Sequence, residues 1–509
     1  MYSVITSGAV LGVKAYFVNV EVDVANGLPA FHMVGSLSNE TRESRERVMV
    51  ALKNKELDIP PGHITVNLSP ADVRKEGTAF DLPIAVGMLD ALGYFPTHAT
   101  EGRLFLGELG LSGEVKPVRG VLPIVREAVD RGIHEFIVPW ANAREGAVIP
   151  GAKVRGVSNL PELIRFLQEG REELLPAAQE EEMLAERLEQ VTEDFAQVRG
   201  QQMAKRAGEI AAAGFHNLLM IGPPGAGKSM IAKRIPGILP PLTVEESLEV
   251  TSIYSVAGLL SEERNLITSR PFQNPHHSIS GAALLGGSTR PRPGMISLAH
   301  RGVLFLDELP EFQRKLLDSM RQPLEDRAIV IARAAGNVVY PANYMLVCAM
   351  NPCPCGFYPN RNKCSCTEQQ IQRYLGRVSG PILDRIDLFT ELEQVELGHL
   401  RGEISTEDSR TIRKRVEKAR LRQQERFQGS KIRFNGEMDS VAVEKYCILG
   451  AREQTYMDKI YQSMELSARA YHRVLKVART IADLADEEQI SKEHLLEAVC
   501  YRPSGTYWK

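Results

Sequence analysis

The chain has 509 residues, 43% of them hydrophobic and 25% charged, with a formal net charge of −3. That length carries three or four domains at roughly 150 residues each, and the balance is that of an ordinary soluble globular protein. No apolar run reaches the roughly 18 residues that a membrane span needs, which excludes a transmembrane protein and leaves no membrane partner to expect.

In chain order, the opening "MYSVITSGAVLGVKAYFVNVEV" is apolar but interrupted by Lys14 and Glu21. Val18, Val20, Val22 and Val24 then alternate with other residues, which is strand periodicity rather than a signal peptide, so a cytoplasmic protein is expected. Residues 1–170 alternate short strands ("HITVNLSP", "FIVPW") with helices ("SRERVMVALKNK", "AFDLPIAVGMLDAL"). Residues 171–195 read as an acidic linker helix broken by Pro176. Between 196 and 398 the buried-strand runs "HNLLMIG", "GVLFLDE" and "YMLVCAMN" alternate with helical segments, the pattern of a parallel sheet with helices on both faces. Residues 399–509 are charged and helical, with Ser491 as a candidate cap for the last helix.

Charge is unevenly spread. Glu169 to Asp194 holds ten acidic and two basic residues, and Arg410 to Arg433 holds ten basic and two acidic ones. These are either solvated helical faces or, for the basic run, a surface for a polyanion.

The string "GPPGAGKS", Gly222, Pro223, Pro224, Gly225, Ala226, Gly227, Lys228 and Ser229, follows a strand and opens a helix at Met230. It matches the phosphate-binding loop in the context that motif requires. Backbone N–H groups and the helix N-terminus suit phosphate oxygens. Lys228 is the candidate bridge between β- and γ-phosphates, and Ser229 a candidate Mg²⁺ ligand. The run "GVLFLDELPEF" ends a strand in Asp307 and Glu308. Asp307 can complete the Mg²⁺ shell, and Glu308 can orient or deprotonate an attacking water. ATP and Mg²⁺ are the expected cofactors.

With Asn351 ending the next strand and "LDRIDL" after it, these motifs look like the AAA+ ATPases. The strings "QNPHHSISGAALLGG", "RPGMISLAHRGVLFLDELPEF" and "MNPCPCG" resemble the Mg-chelatase-like branch, and more closely the ComM (YifB) family, along the whole chain. The resemblance implies a Lon-protease-like α+β domain over 1–170, an α/β AAA+ core over 196–398 and a helical lid over 399–509. It assigns Asn351 to sensor 1, Arg385 to an arginine finger acting on a neighbour's nucleotide, and Arg469 to sensor 2, with Arg473 one turn on as the alternative. A finger of this kind contributes about 10³ to 10⁵ in rate. It also implies a homo-oligomer, a hexameric ring. "QVRGQ", Gln197 to Gln201, falls where such chains contact adenine.

In the relatives, two insertions point into the ring's pore. Here they correspond to "NPHHSISGAALLGGSTRPRPG", with Arg290 and Arg292, and to "AIVIARAAGNVVYP", which reads as a hairpin with Arg333 near its tip. Arginines there suit a DNA backbone or, alternatively, subunit packing. His276 and His277 are adjacent on a loop, a poor chelate, and are expected to hydrogen-bond or stack.

Cys353, Cys355, Cys364 and Cys366 form a C-x-C, eight-residue, C-x-C pattern. Four thiolates folded back on one another suit Zn²⁺; a redox or purely structural cluster is the alternative. Cys348, Cys447 and Cys500 lie in apolar contexts and read as core.

"GELGLSGEVKPVRGVLPIVREAVDRGIHEFIVP" and "RKEGTAFDLPIAVGML" are similar to the Lon proteolytic domain. The serine's place falls on Ala79 or Asp81 and the lysine's near Leu122, so the nucleophile and its base are absent. Lys75 and Ser112 stand nearby without a reason to pair. The resemblance thus implies an inactive Lon-like domain, joined to an ATP-driven helicase that promotes branch migration on single-stranded, forked or branched DNA during natural transformation. A remodelling ATPase acting on a protein partner is the alternative.

Overall fold

The computed structural model describes residues 1–178, 193–261, 264–287, 291–332, 337–394 and 407–503. Arg290, Arg333 and most of the acidic run lie outside the described residues.

The first part is built on β1 (Tyr2–Leu11), β2 (Lys14–Asn26), β3 (Ala30–Val34), β4 (Gly62–Ser69), β5 (Arg103–Phe105), the small pair β6 (Glu108–Leu109) and β7 (Val115–Lys116), β8 (Glu135–Pro139) and β9 (Lys153–Val157). Seven of these form one sheet in the order β3-β4-β2-β1-β5-β8-β9. β1 and β4 run antiparallel to β2, while β5, β8 and β9 continue parallel to β1. Val18, Val20, Val22 and Val24 of β2 all point into the core, as their two-residue spacing requires. The helix Asp81–Ala91 lies over them and is buried along almost its whole length.

Of the stretch expected as a linker helix, the described residues 171–178 are not α-helical. Glu172–Leu174 is a single 3-10 turn, and Ala177 then bridges to Arg155 of β9. The buried Arg155 guanidinium is the physical reason: it takes Glu172, Glu135 and the Leu175 carbonyl as partners, so the chain up to 178 is tied to the sheet edge.

The second sheet contains β10 (Leu218–Ile221), β11 (Phe272–Gln273), β12 (Val303–Leu306), β15 (Met345–Met350) and β16 (Leu388–Glu391), in the order β11-β12-β15-β10-β16 and all parallel. Every residue of β10, β12 and β15 is buried, the signature of a parallel strand covered on both faces. The two faces enter different cores. Leu218, Met220, Phe305 and Val347 pack with the helices Gln202–Gly214, Lys228–Ile238 and Ser409–Arg426 and with the C-terminal helices. Leu219, Ile221, Leu306 and Cys348 pack instead with Cys353, Cys364 and Tyr374. Each such fully buried apolar side chain contributes about 1.5–3 kcal/mol, so the strand ends that carry polar residues are rigidly held. β13 (Ala328–Ile331) and β14 (Val338–Pro341) form the expected antiparallel hairpin between β12 and β15.

The C-terminal helices Ser440–Tyr446, Ala451–Ser463, Ala468–Leu484 and Lys492–Cys500 share the first of these cores. Ser491 occupies the N-cap position of the last helix. The basic run lies mainly on Ser409–Arg426, and its charges are largely used inside the chain. Arg415 pairs with Glu209 and Glu407, Lys418 and Arg422 with Asp486, Arg426 with Asp483, and Arg433 with Glu246. Arg413 donates to the Gly237 carbonyl, and Arg420 lies 4.0 Å over the Phe434 ring. Much of the run's charge is thus paired within the chain, although Lys418, at 61%, stays exposed.

The first domain is not pendant. Gly120 N–H donates to the Ser255 carbonyl at 3.4 Å, and Leu248 and Leu266 join the core of Leu104, Val121 and Val154. Val256, Val338 and Tyr340 pack with Val10 and Val13 at the β1–β2 turn.

Candidate active site

The loop from β10 into the helix Lys228–Ile238 needs glycine at two places: Gly225 has φ +77° and Gly227 φ +94°, a region in which side-chain-bearing residues are strained. The turn brings Lys228 back over its own loop. Its Nζ donates to the carbonyls of Gly222 (2.7 Å) and Pro223 (2.9 Å) and to Asn351 Oδ1 (3.1 Å). Burial pulls the Lys228 pKa below 10.5, against the opposing pull of Asp307 and Glu308. Ser229 Oγ donates to Asp307 Oδ2 at 2.6 Å. A hydroxyl and a carboxylate side by side are hard oxygen ligands of the kind Mg²⁺ takes.

Glu308 follows Asp307 in the left-handed region, φ 52° and ψ 48°. Its N–H donates to Asp307 Oδ1 at 2.9 Å, and its side chain is 59% exposed. A non-glycine residue held there costs about 1–3 kcal/mol, the kind of strain that gathers at functional sites. His277 Nδ1 stands 3.5 Å from Glu308 Oε2. The His276 and His277 rings lie 4.0 Å apart, and His277 meets the Phe312 ring edge-on. The two rings lie against each other at a tilt of 34°, and His276 Nδ1 shares a hydrogen bond with Ser278 Oγ at 2.8 Å, but the approach of His277 to Glu308 has no local sequence signal.

The structure brings Lys228, Ser229, Asp307, Glu308 and Asn351 together from β10, β12 and β15. Gln201 joins them: its Nε2 donates to the carbonyls of Ala226 (3.1 Å) and Glu393 (2.6 Å). Gln197 turns away, accepting from the Arg234 guanidinium. Met230 is 43% exposed on the helix's first turn. A cavity of about 290 Å³ opens beside β10, lined by Met203, Ile221, Thr390, Glu391 and Tyr501 among others. Tyr501 reaches it because its carbonyl accepts from Phe389 N–H at 2.9 Å, a contact between chain segments that no motif announces.

Arg385, Arg469 and Arg473 form a second group. Arg385 pairs with Glu325, not with Asp384 or Asp387, and its side chain is 15% exposed. Asp387 instead accepts from the Asn217 N–H and faces His216. Arg469 lies 3.8 Å from Asp384, and Arg473 donates to the Asp384 carbonyl. Burial lowers the Arg385 pKa, and the nearby charges of Arg469, Arg321 and Arg473 lower it further. Arg469 is open, 65% exposed, while Arg473 is 10% exposed. Arg292 is exposed on the first insertion.

The sulfurs of Cys353, Cys355, Cys364 and Cys366 all lie within 4.8 Å of one another. Cys353 Sγ is 3.3 Å from Cys355 Sγ and 3.7 Å from Cys364 Sγ, and Cys355 Sγ is 3.6 Å from Cys364 Sγ. Four thiolates around one Zn²⁺ at about 2.3 Å stand about 3.8 Å apart, so the set fits that ion. Burial works against ionising Cys355, yet the Phe357 N–H and the neighbouring thiols bring its pKa down to about 6.

In the first domain, Asp81 is fully buried and held by Arg47 at 2.6 Å and by the Leu109 N–H at 3.2 Å. Leu122 is core. Lys75 is buried with no hydrogen bond to its Nζ, and Ser112 is exposed.

Residues 194–400 match the family described as magnesium chelatase, subunit ChlI; residues 20–142 match subunit ChlI of Mg-chelatase; and residues 406–502 match the C-terminal region of magnesium chelatase subunit ChlI. The competence protein ComM of Haemophilus influenzae is 43% identical over 509 residues, covering 98% of this chain and 97% of that protein. The chain belongs to the ComM/YifB family. The YifB protein of Salmonella typhimurium is 42% identical over 503 residues, with 98% and 97% covered. A Lon protease of Desulfovibrio desulfuricans is 23% identical over 165 residues, 30% of this chain and 18% of the protease. This ComM/YifB member is thus a Mg-chelatase-like AAA+ protein with Lon-like similarity. No helix among the described residues is long and apolar enough to cross a membrane.

Proposed function

We propose that this protein is an ATP-driven motor that works as a ring, most simply a hexamer, on single-stranded, forked or branched DNA, promoting branch migration. The observation that carries the reading is that the adjacent Lys228 and Ser229 are hydrogen-bonded to Asn351 and to Asp307 respectively, with Glu308 following Asp307. Lys228 and the loop from Gly222 to Met230 hold the phosphates, with Gln201 and the adjoining cavity toward the nucleoside. Ser229 and Asp307 hold Mg²⁺, which neutralises charge on the β- and γ-phosphates. Glu308 orients the water and Asn351 senses the γ-phosphate.

Arg385 pairs with Glu325, and Arg469 and Arg473 stand beside Asp384. In this reading Arg385 serves the nucleotide of an adjoining subunit, and Arg469, or Arg473 one turn on, is sensor 2. In this reading residues 1–170 are an inactive Lon-like domain, 196–398 the ATPase core and 399–509 the lid. The tetrathiolate group takes Zn²⁺ as a structural ion. Of the arginines assigned to the pore, Arg292 is described and exposed and would meet the DNA backbone; Arg290 and Arg333 lie outside the described residues. The name of the Haemophilus relative, a competence protein, supports a role in homologous recombination during natural transformation.

A second reading, a remodelling ATPase acting on a protein, is favoured by the internal pairing of the basic run on Ser409–Arg426. ATP turnover measured with and without forked DNA at two salt concentrations separates the two. A DNA motor is stimulated, with stimulation fading as salt rises; turnover indifferent to DNA at both concentrations favours the protein-directed reading.

A further inference from the structure

The four-cysteine group sits against the nucleotide machinery on several sides. Cys353 follows Asn351 by two residues, so one end of the group continues directly from β15. Gly356, at φ +86°, lies on the phosphate loop itself: a Cβ built there would stand 2.4 Å from Pro224 Cδ. No real side chain tolerates such an approach without one of the two loops moving. The backbone of the knob is therefore in direct van der Waals contact with the loop that carries Lys228.

The far side of the knob is tied as well. Lys363 Nζ donates to Gln394 Oε1 at 3.1 Å, at the end of the segment following β16. That segment also touches the phosphate loop from the other side, with the Leu392 carbonyl 2.7 Å from a Cβ built at Gly222 and the Glu393 carbonyl accepting from Gln201. Beyond Cys366, the helix Glu368–Leu375 leads to Arg377, which donates to both carboxylate oxygens of Glu311 at 2.9 Å, three residues after Glu308.

The knob has little else to hold its shape. Between Met350 and the helix that starts at Glu368 there is no regular element, only turns. Cys353 and Cys364 are buried against β15, and Cys355 and Cys366 are half-buried. Four thiols within 4.8 Å of one another join the two ends of the loop and can fix its height above Pro224.

We propose that a thiophilic divalent cation of the Zn²⁺ type, held by Cys353, Cys355, Cys364 and Cys366, braces the phosphate loop through the Gly356–Pro224 contact, so that metal occupancy sets the affinity of the loop for nucleotide. Gly356 and Pro224 are positioning residues in this arrangement. The proposal rests on the reading of Gly222–Ser229 as the nucleotide phosphate site and of the thiols as a metal site, and its test keeps the three apart.

The full-length protein, purified without chelator, is analysed for metal content and for binding of a fluorescent ADP analogue. One zinc per chain is expected, with analogue affinity falling when zinc is stripped and returning when zinc is restored. Gly356→Ala is expected to keep its zinc and its thermal unfolding midpoint within a few degrees, and to lose on the order of tenfold to a hundredfold in analogue affinity, the scale of a one-ångström misplacement in a built site. Gly132→Ala is the control: Gly132 has φ +87° and nothing within 4 Å, so it carries the same backbone strain without the contact; it should bind the analogue like the parent. A Gly356→Ala protein that retains zinc and binds the analogue as tightly as the parent overturns the proposal. Purified protein free of thiophilic metal overturns it at the metal site while leaving the phosphate-loop reading intact, and a zinc-loaded parent that binds no analogue overturns the phosphate-loop reading itself.

Discussion

Lys228 and Asn351 are joined by a 3.1 Å hydrogen bond that crosses from the start of one helix to the end of β15. Lys228 is 8% exposed, and its ammonium spends its other two donors on the carbonyls of Gly222 and Pro223. The phosphate loop and the sensor strand, already paired through β10 and through the Gly222 N–H donating to the Met350 carbonyl at 3.2 Å, are thus also joined by a side chain.

Lys228→Ala should bind ATP at least tenfold more weakly, because both the phosphate partner and this brace are lost. Asn351→Ala should bind ATP with little change and turn it over more slowly, since its amide matters most as charge develops on the γ-phosphate. Equilibrium binding and steady-state turnover, measured on both variants, check the distinction.

Glu308→Gln should bind ATP like the parent and hydrolyse it at least a hundredfold more slowly, as expected when a group that positions or deprotonates water loses its charge. The exposed side chain makes a folding defect an inadequate explanation, and unchanged thermal unfolding checks that. Parental turnover in this variant removes Glu308 from its role.

Arg385→Ala subunits mixed with parental subunits should depress turnover more steeply than their fraction, because each lacks the group that serves a neighbour. The Arg385–Glu325 pair adds a second expectation: the guanidinium leaves Glu325 to reach that neighbour, so Glu325→Gln should preserve turnover in mixed rings where Arg385→Ala poisons it. A turnover that falls in simple proportion to the Arg385→Ala fraction argues against action between subunits.

Glu249 gives the acid response a direction. Burial opposes ionisation of its carboxyl, but His300 and Arg301 outweigh it and lower the pKa from 4.5 to about 2. A depressed carboxylate contributes stability that is complete above the unfolded value and disappears as pH falls through the folded one. With the side chain one-third exposed, solvent screening leaves roughly 1–2 kcal/mol of this contribution. Glu249→Gln should lower the unfolding midpoint at neutral pH and flatten its dependence between pH 4.5 and about 2, as thermal unfolding at stepped pH will record.

Asp81, one of the two positions, with Ala79, onto which the Lon resemblance would put the serine, is locked to Arg47. Breaking a buried ion pair by removing one partner costs about 3–5 kcal/mol. Asp81→Ala should therefore lower the unfolding transition of the first domain by an amount visible in calorimetry, with no peptidase activity in either protein.

Much of the architecture is written locally. The alternating valines of β2, the unbroken apolar runs of β10, β12 and β15, and the two β-branched stretches flanking "AAGN" each specify their element through nearest neighbours. The phosphate loop and the Asp307–Glu308 pair are legible for the same reason, since their geometry follows from a strand end and a glycine pattern. What escapes is set by contacts distant in sequence. The basic run looks open until Glu209, Asp483 and Asp486 are brought alongside it by packing. The partner of Arg385 is sixty residues away at Glu325, and the neighbours its own sequence offered, Asp384 and Asp387, point elsewhere. The acidic stretch at 171–178 follows β9 because one buried arginine holds Glu172 and the Leu175 carbonyl, a demand invisible in a charge count.

The seating of Val10 and Val13 beneath Val256, Val338 and Tyr340 bears on how this protein can be dissected. A fragment begun near residue 196 would open those side chains, together with Leu248 and Leu266, to water. Such a truncated ATPase would carry a newly bared greasy flank beside the base of the hairpin, and its self-association would report on that scar rather than on ring assembly.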